Sequence, residues 1–230
     1  MKKYLLWISI PLLAFSLLSA CKKKKGDNKS DENNTTVEDF MSTKLGSFWY
    51  YKSNEGAVNF VEATGKDSMV QGAKYDYYTA KDTNANYWIT ATYYAKNGNN
   101  YINLVDLDGS QTNYVPVIIF VDSAKVGDNW TNTHTMKYSG NNVDLQIEGE
   151  VIAVGATETI EGKTYTNVTK VKSKLKGRSI PLVPAFINCG YAEMWFQKGV
   201  GVLKKDIDLD ILIFYKRKYQ EWIIDYHIEP

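Results

Sequence analysis

Cysteine and histidine are nearly missing from this chain: 230 residues hold two of each, Cys21, Cys189, His134 and His227. So few ligands, set so far apart, make no zinc-site spacing and give little support to a histidine base. Cys189, in "PAFINCGYAE", has no histidine beside it to activate a thiolate, so it reads as a buried or half-buried free thiol. Excess charge of either sign is also lacking, with 27 Lys and Arg against 26 Asp and Glu. No strong field therefore draws nucleic acid or an acidic partner. No glycine-rich phosphate loop or dinucleotide fingerprint occurs, and no long segment keeps a 3.6-residue period. No cofactor, metal site or catalytic constellation is expected from the sequence.

One long apolar run is present. Met1-Lys2-Lys3 is followed by "YLLWISIPLLAFSLLSA", residues 4–20, without a charge. A basic start, an apolar stretch and small residues before a break read as a secretory signal peptide over residues 1–20. The run is short for a bilayer-spanning helix of about 20 residues, and Pro11 interrupts it. Leu18-Ser19-Ala20-Cys21 resembles the lipobox of bacterial lipoproteins. That resemblance implies cleavage between Ala20 and Cys21 and fatty acylation, palmitate among the chains, at Cys21. Each buried methylene contributes about 0.8 kcal/mol, so two or three chains hold a protein where one does not.

Residues 21–39 then form a tether. "KKKKGDNKSDENNTT" (22–36) contains no aromatic or branched aliphatic side chain and cannot bury enough surface to order itself. Lys22 to Lys25 either meet anionic headgroups or form a solvated charge run. By resemblance to Gram-negative lipoproteins, Lys22 in place of an inner-membrane-retaining Asp implies the outer membrane and leaves the face open.

Aromatic residues are plentiful, at 13% with 17 Tyr and 6 Trp. They favour half-buried pleated surfaces. The expected fold over residues 40–230 is a single all-β domain, a curled antiparallel sheet or half-barrel with at most short helices. "NYWITATYYAKNGNNYINLVDLDG" (86–109) reads as two strands joined at Asn97 to Asn100. In "NNVDLQIEGEVIAVG" (141–155), Val143, Leu145 and Ile147 alternate with polar neighbours, a period of two that puts them on one face. One short helix is expected near "VEDFMSTKLG", residues 37–46.

An internal pattern repeats in order. "LGSFW" (45–49) matches "VGDNW" (126–130), and "GKDSMVQGAKY" (65–75) matches "GATETIEGKTY" (155–165). Tyr93-Tyr94-Ala95-Lys96 resembles Trp195-Phe196-Gln197-Lys198. Two related β-meanders, about 45–120 and 126–230, are the expectation, with Gly72 and Gly162 supplying positive φ in matching turns.

"KVGDNWTNT", "GATETIEGKTYTNVTKVKSK" and "MWFQKGVGVLKKD" resemble a group of exported bacterial lipoproteins of unknown function, sometimes catalogued as TapB-like. The matching residues are Gly127–Trp130, Gly162–Val171 and Trp195–Lys204. The resemblance implies a curled antiparallel sheet like that of periplasmic lipoprotein carriers and brings no catalytic residues.

Other candidate chemistry is thin. "VDLDGS" (105–110) offers Asp106 and Asp108 but fails the calcium-loop spacing and reads as a hairpin turn. Asp206, Asp208 and Asp210 share one strand face, with Lys204, Lys205 and Lys216 nearby, and read as a solvated row, with a cation held by the three carboxylates as the alternative. "KGVGVLK" (198–204) reads as a turn or bulge. Asp67-Ser68-Met69 and Asp122-Ser123-Ala124 fit a short O-glycosylation acceptor pattern at Ser68 and Ser123. Adjacent aromatics such as Tyr77-Tyr78 must point to opposite faces of a strand, and a ligand surface is expected where one of each pair lies outside the sheet's buried side or inside a cavity. The sequence reads as a non-catalytic, membrane-anchored envelope protein binding an apolar or glycan ligand or a protein partner. The alternatives are a structural component of an envelope complex and, less favoured, a hydrolase using distant carboxylates.

Overall fold

The computed structural model describes residues 39–83, 88–106, 114–138, 141–179, 182–211 and 215–230. The signal segment, Ala20, Cys21, the tether to Thr36 and Asp108 lie outside the described residues. Among the described residues twelve strands follow one another: β1 Phe48–Ser53, β2 Val58–Val70, β3 Ala73–Asp82, β4 Trp88–Asn97, β5 Asn100–Asp106 and β6 Tyr114–Val121. Then come β7 Asn129–Tyr138, β8 Asn141–Ile160, β9 Lys163–Ser179, β10 Val183–Gln197, β11 Gly201–Ile211 and β12 Tyr215–His227.

All twelve belong to one antiparallel sheet, in the order β6-β5-β4-β3-β2-β1-β12-β11-β10-β9-β8-β7. Each half, β1–β6 and β7–β12, is a meander of neighbours in sequence. The first and last strands of the chain pair in the middle, Trp49 opposite Tyr226. The remaining edges, β6 and β7, are brought toward each other as the sheet curls nearly into a barrel. Trp130 Nε1 on β7 donates to the Ile118 carbonyl on β6 at 3.0 Å, and His134 hydrogen-bonds the Pro116 carbonyl. Pro116 has no N–H to donate, so an edge strand is where it costs least. The closure goes beyond the expected half-barrel.

Local sequence explains the elements. In β8, Val143, Leu145 and Ile147 are buried while Asp144, Gln146 and Glu148 are less so. The β2–β3 and β8–β9 hairpins turn on Gln71-Gly72 (φ 51° and 80°) and Glu161-Gly162 (φ 47° and 79°). Two consecutive positive φ values are the I′ geometry whose twist matches paired strands, and glycine adopts them without a Cβ penalty. Both ladders also shift register beside a positive-φ glycine, Gly65 and Gly155. The third repeated segment falls on β4 and β10. The matched motifs thus occupy strands six places apart.

The interior is aromatic and aliphatic. Trp49, Tyr51, Tyr78, Val151, Val168, Phe196, Leu203 and Ile223 form one cluster. A second, around Leu145, Ile147, Leu175 and Cys189, draws Val115 and Val117 of β6 across the closure. The expected helix is absent from its described part: Asp39–Ser47 is bend and turn. Phe40 and Met41 are both buried, Phe40 with its ring centroid 4.9 Å from Phe196 and 5.2 Å from Tyr101. The irregular backbone finds partners in the barrel: Gly199 N donates to the Asp39 carbonyl at 3.0 Å, and Tyr78 Oη to the Ser42 carbonyl at 3.1 Å. Packing and these bonds override local helix propensity.

Candidate functional site

Alternation along β11 and β12 sends Lys205 and Ile207 inward opposite Glu221 and Tyr219. Beside them, β1 contributes Tyr51 and β2 contributes Asn59, its cross-strand partner. These residues, with Val61, Ala80, Thr92 and Tyr94, line a cavity of about 450 Å3, as do Glu55, Lys81 and Arg217.

A buried polar network sits in its wall. Lys205 Nζ lies 2.6 Å from Glu221 Oε1. Tyr219 Oη donates to Glu221 Oε2 at 2.7 Å, and Asn59 Nδ2 donates to Tyr219 Oη at 3.0 Å and to Glu221 Oε2 at 3.5 Å. The Glu221 side chain is 8% exposed and that of Lys205 23%. Burial works against the Glu221 carboxylate, but the Lys205 charge and the three hydrogen bonds outweigh it and hold its pKa below the ordinary value. Burial likewise opposes the Lys205 ammonium, and Glu221 more than compensates, raising its pKa. Burial and the neighbouring carboxylate push the Tyr219 phenol up. At neutral pH this network therefore carries one ammonium, one carboxylate and a neutral phenol.

The aromatic pairs divide as alternation requires. Tyr51 and Tyr78 are buried and Tyr94 packs on the core, whereas Tyr77 and Tyr93 stack outside with centroids 5.5 Å apart. Trp49 is a core anchor, its Nε1 donating to the Val200 carbonyl at 2.6 Å. Trp195 is partly buried against the core cluster, with Lys170 and Lys204 Nζ at 3.9 and 4.6 Å from its ring centre.

The Asp206, Asp208 and Asp210 row faces the opposite way from Lys205. Gln220 donates to Asp206 at 2.9 Å, and Lys218 and Lys216 pair with Asp208 and Asp210 at 3.4 and 3.1 Å. Cys189 is a buried thiol whose Sγ is 3.6 Å from the Ile187 carbonyl. Ser68 lies on β2, half-buried, and Ser123 is exposed in the turn after β6 with φ 64°. The residues 198–200 form a turn between β10 and β11. A second cavity of about 420 Å3, beside Phe40, Phe120 and Phe196, contains the Lys198–Asp122 pair at 2.5 Å. Among the described residues no three metal-ligating side chains cluster.

Sequence reasoning missed Lys205, Glu221, Tyr219 and Asn59. Their one signal is the interruption of an apolar face: Lys205 shares a strand side with Leu203, Ile207 and Leu209, where apolar alternation is otherwise unbroken.

The fold and cavity define a nearly closed antiparallel β-barrel with a polar group set into its inner wall. A structure of a lipoprotein candidate from Parabacteroides distasonis is similar, with a TM-score of 0.49 and 14% identity over 83% of this chain and 99% of that one. An exported-protein candidate with a YmcC-like fold from Bacteroides fragilis aligns with a TM-score of 0.41 and 9% identity, over 83% of this chain and 100% of the other. Likenesses of this degree transfer no function. No protein-family model matches the chain, so the TapB-like resemblance rests on its quoted residues alone, and no curated protein matches it.

Proposed function

We propose that this chain is a lipid-anchored cell-envelope protein, held at the outer membrane through Cys21, whose barrel mouth binds a ligand without transforming it. The observation that carries the reading is the cavity of about 450 Å3 with Tyr51, Val61 and Ile207 in its walls and the hydrogen-bonded Lys205–Glu221 pair among them. A concave space that combines apolar walls with fixed polar groups is the usual form of a small-molecule site. Glu221 is ionised and its oxygens are engaged, so it is poorly set up to deliver or accept a proton, which favours binding over hydrolysis.

Native mass spectrometry of protein extracted from its host membrane tests this. The wild type is expected to carry a bound small molecule, and Ala80→Trp, which fills the cavity from β3, is expected to lose it. A bare wild-type protein overturns the reading. The anchor has its own test: Cys21→Ser should abolish palmitate labelling and block processing, and unchanged labelling would remove the envelope placement.

A second reading, an assembly component, draws on one observation. Leu182, just before β10, and Phe186 and Ile187 on it are exposed, at 58%, 37% and 41%. Crosslinking from position 186 in the host envelope should then capture a specific protein that Phe186→Ser loses.

A further inference from the structure

We infer that the barrel mouth selects an amphipathic acid, whose anionic head meets Lys205 and whose apolar body lies along Met41, Val61 and Ile207. This deepens the proposed binding role and rests on it.

The hydrogen bonds around the ion pair are unequal. Glu221 accepts from Lys205 on one oxygen, at 2.6 Å, and from Tyr219 and Asn59 on the other, at 2.7 and 3.5 Å. The Tyr219 hydroxyl donates to Glu221 and accepts from Asn59. Tyr51 Oη donates to the Val202 carbonyl at 3.0 Å. These acceptors and hydroxyls are therefore already engaged. An ammonium carries three N–H donors, and Glu221 takes one from Lys205. A ligand entering the cavity meets a charged donor with capacity left, beside a carboxylate that already accepts three hydrogen bonds. A cationic head would have to compete with Lys205, Tyr219 and Asn59 for Glu221, whereas an anionic head can accept from the two remaining Lys205 donors at the cost of standing near the Glu221 carboxylate.

Lys81, Arg217 and Glu55 also line the cavity, Arg217 with its guanidinium 4.5 Å from the centre of the Tyr219 ring. Val61 and Ile207 line the same cavity, which asks for a hydrocarbon or aromatic body rather than a bare inorganic ion.

The test compares three water-soluble probes of one shape: 3-phenylpropionate, its primary amide, and 3-phenylpropylamine. Calorimetric titration would use the mature lipoprotein in nanodiscs, with empty nanodiscs subtracted. The acid is expected to bind about tenfold or more tighter than the amide, a difference of about 1.4 kcal/mol, and the amine more weakly still. Lys205→Met alone leaves Glu221 buried without its partner, so the informative variant is Lys205→Met with Glu221→Gln, which removes both charges. It should bind acid and amide equally. If amide or amine binds the wild type as well as the acid does, the assigned head group is wrong while the cavity reading survives. If acid binding persists unchanged in Ala80→Trp, the ligand sits elsewhere and this inference fails. If the wild type binds none of the three yet releases a host molecule that Ala80→Trp lacks, this inference alone falls.

Discussion

Trp130 stands directly opposite Gly149 across the β7–β8 ladder, and its indole occupies the space a Cβ on Gly149 would need. From there Nε1 reaches the Ile118 carbonyl on β6 at 3.0 Å. The glycine thus lets one aromatic ring lie flat on β8 and tie the two sheet edges together. Gly149→Ala is expected to displace the ring and destabilise the fold by about 2–3 kcal/mol, combining overpacking with a lost hydrogen bond. Trp130→Phe at the same place should cost less, since space is retained. Urea unfolding of both variants, with near-ultraviolet circular dichroism to follow the indole, checks the order.

Phe40 closes one end of the interior through Tyr101, Phe120 and Phe196, with centroids 4.9–5.5 Å away. Phe40→Ala is expected to cost about 3–5 kcal/mol, the range for truncating a buried aromatic. Hydrogen exchange should then rise at the Gly199 amide, which donates to the neighbouring Asp39 carbonyl. A variant as stable as wild type would show that Asp39–Ser47 only rests on the barrel.

Breaking the ion pair on one side should hurt more than removing it. Glu221→Gln strands Lys205 and is expected to cost about 3–5 kcal/mol, while the double variant Lys205→Met, Glu221→Gln should lie much nearer wild type. Thermal unfolding of the three proteins gives the comparison directly.

The same pair sets a pH window. The folded pKa of Glu221 lies below its unfolded value of about 4.3, so its contribution is present above that pH and is lost as pH falls through the folded pKa. The folded pKa of Lys205 is raised, so its contribution is complete below about 10.4 and is lost as pH rises through the folded value. The stability gap between wild type and the double variant should be flat between about pH 5 and 10 and change outside it.

Closure of the barrel should also respond to acid. Burial lowers the pKa of His134, against the opposing bond to the Pro116 carbonyl. The unfolded chain therefore binds the proton first, and stability should fall as pH drops below about 6.5 toward the folded pKa. His134→Gln should flatten that limb, and a titration of stability between pH 7 and 4 reads it.

The hairpins were legible because their causes are local. Asn97 to Asn100, Gln71-Gly72 and Glu161-Gly162 announce turns by residue type, and Val143-Leu145-Ile147 announces a buried face by period. The segment at 37–46 misled because its helix-like composition says nothing about a pocket formed by Tyr101, Phe120 and Phe196, far along the chain. "KKDIDLDIL" was legible only in part. Alternation separates Lys205 from Asp206, Asp208 and Asp210, but it does not say which side is the interior. That depended on β12 placing Glu221 opposite Lys205.

The amino-acid order by itself determined an all-β chain of short-range hairpins and the places where those hairpins turn, because strand period and turn chemistry act between near neighbours. Tertiary structure alone decided that β1 pairs with β12, that β6 and β7 approach, and that Lys205 and Glu221 share an inner wall. Those contacts join residues far apart in the chain. Their register is chosen by which faces bury the most apolar surface together, a quantity no single segment contains.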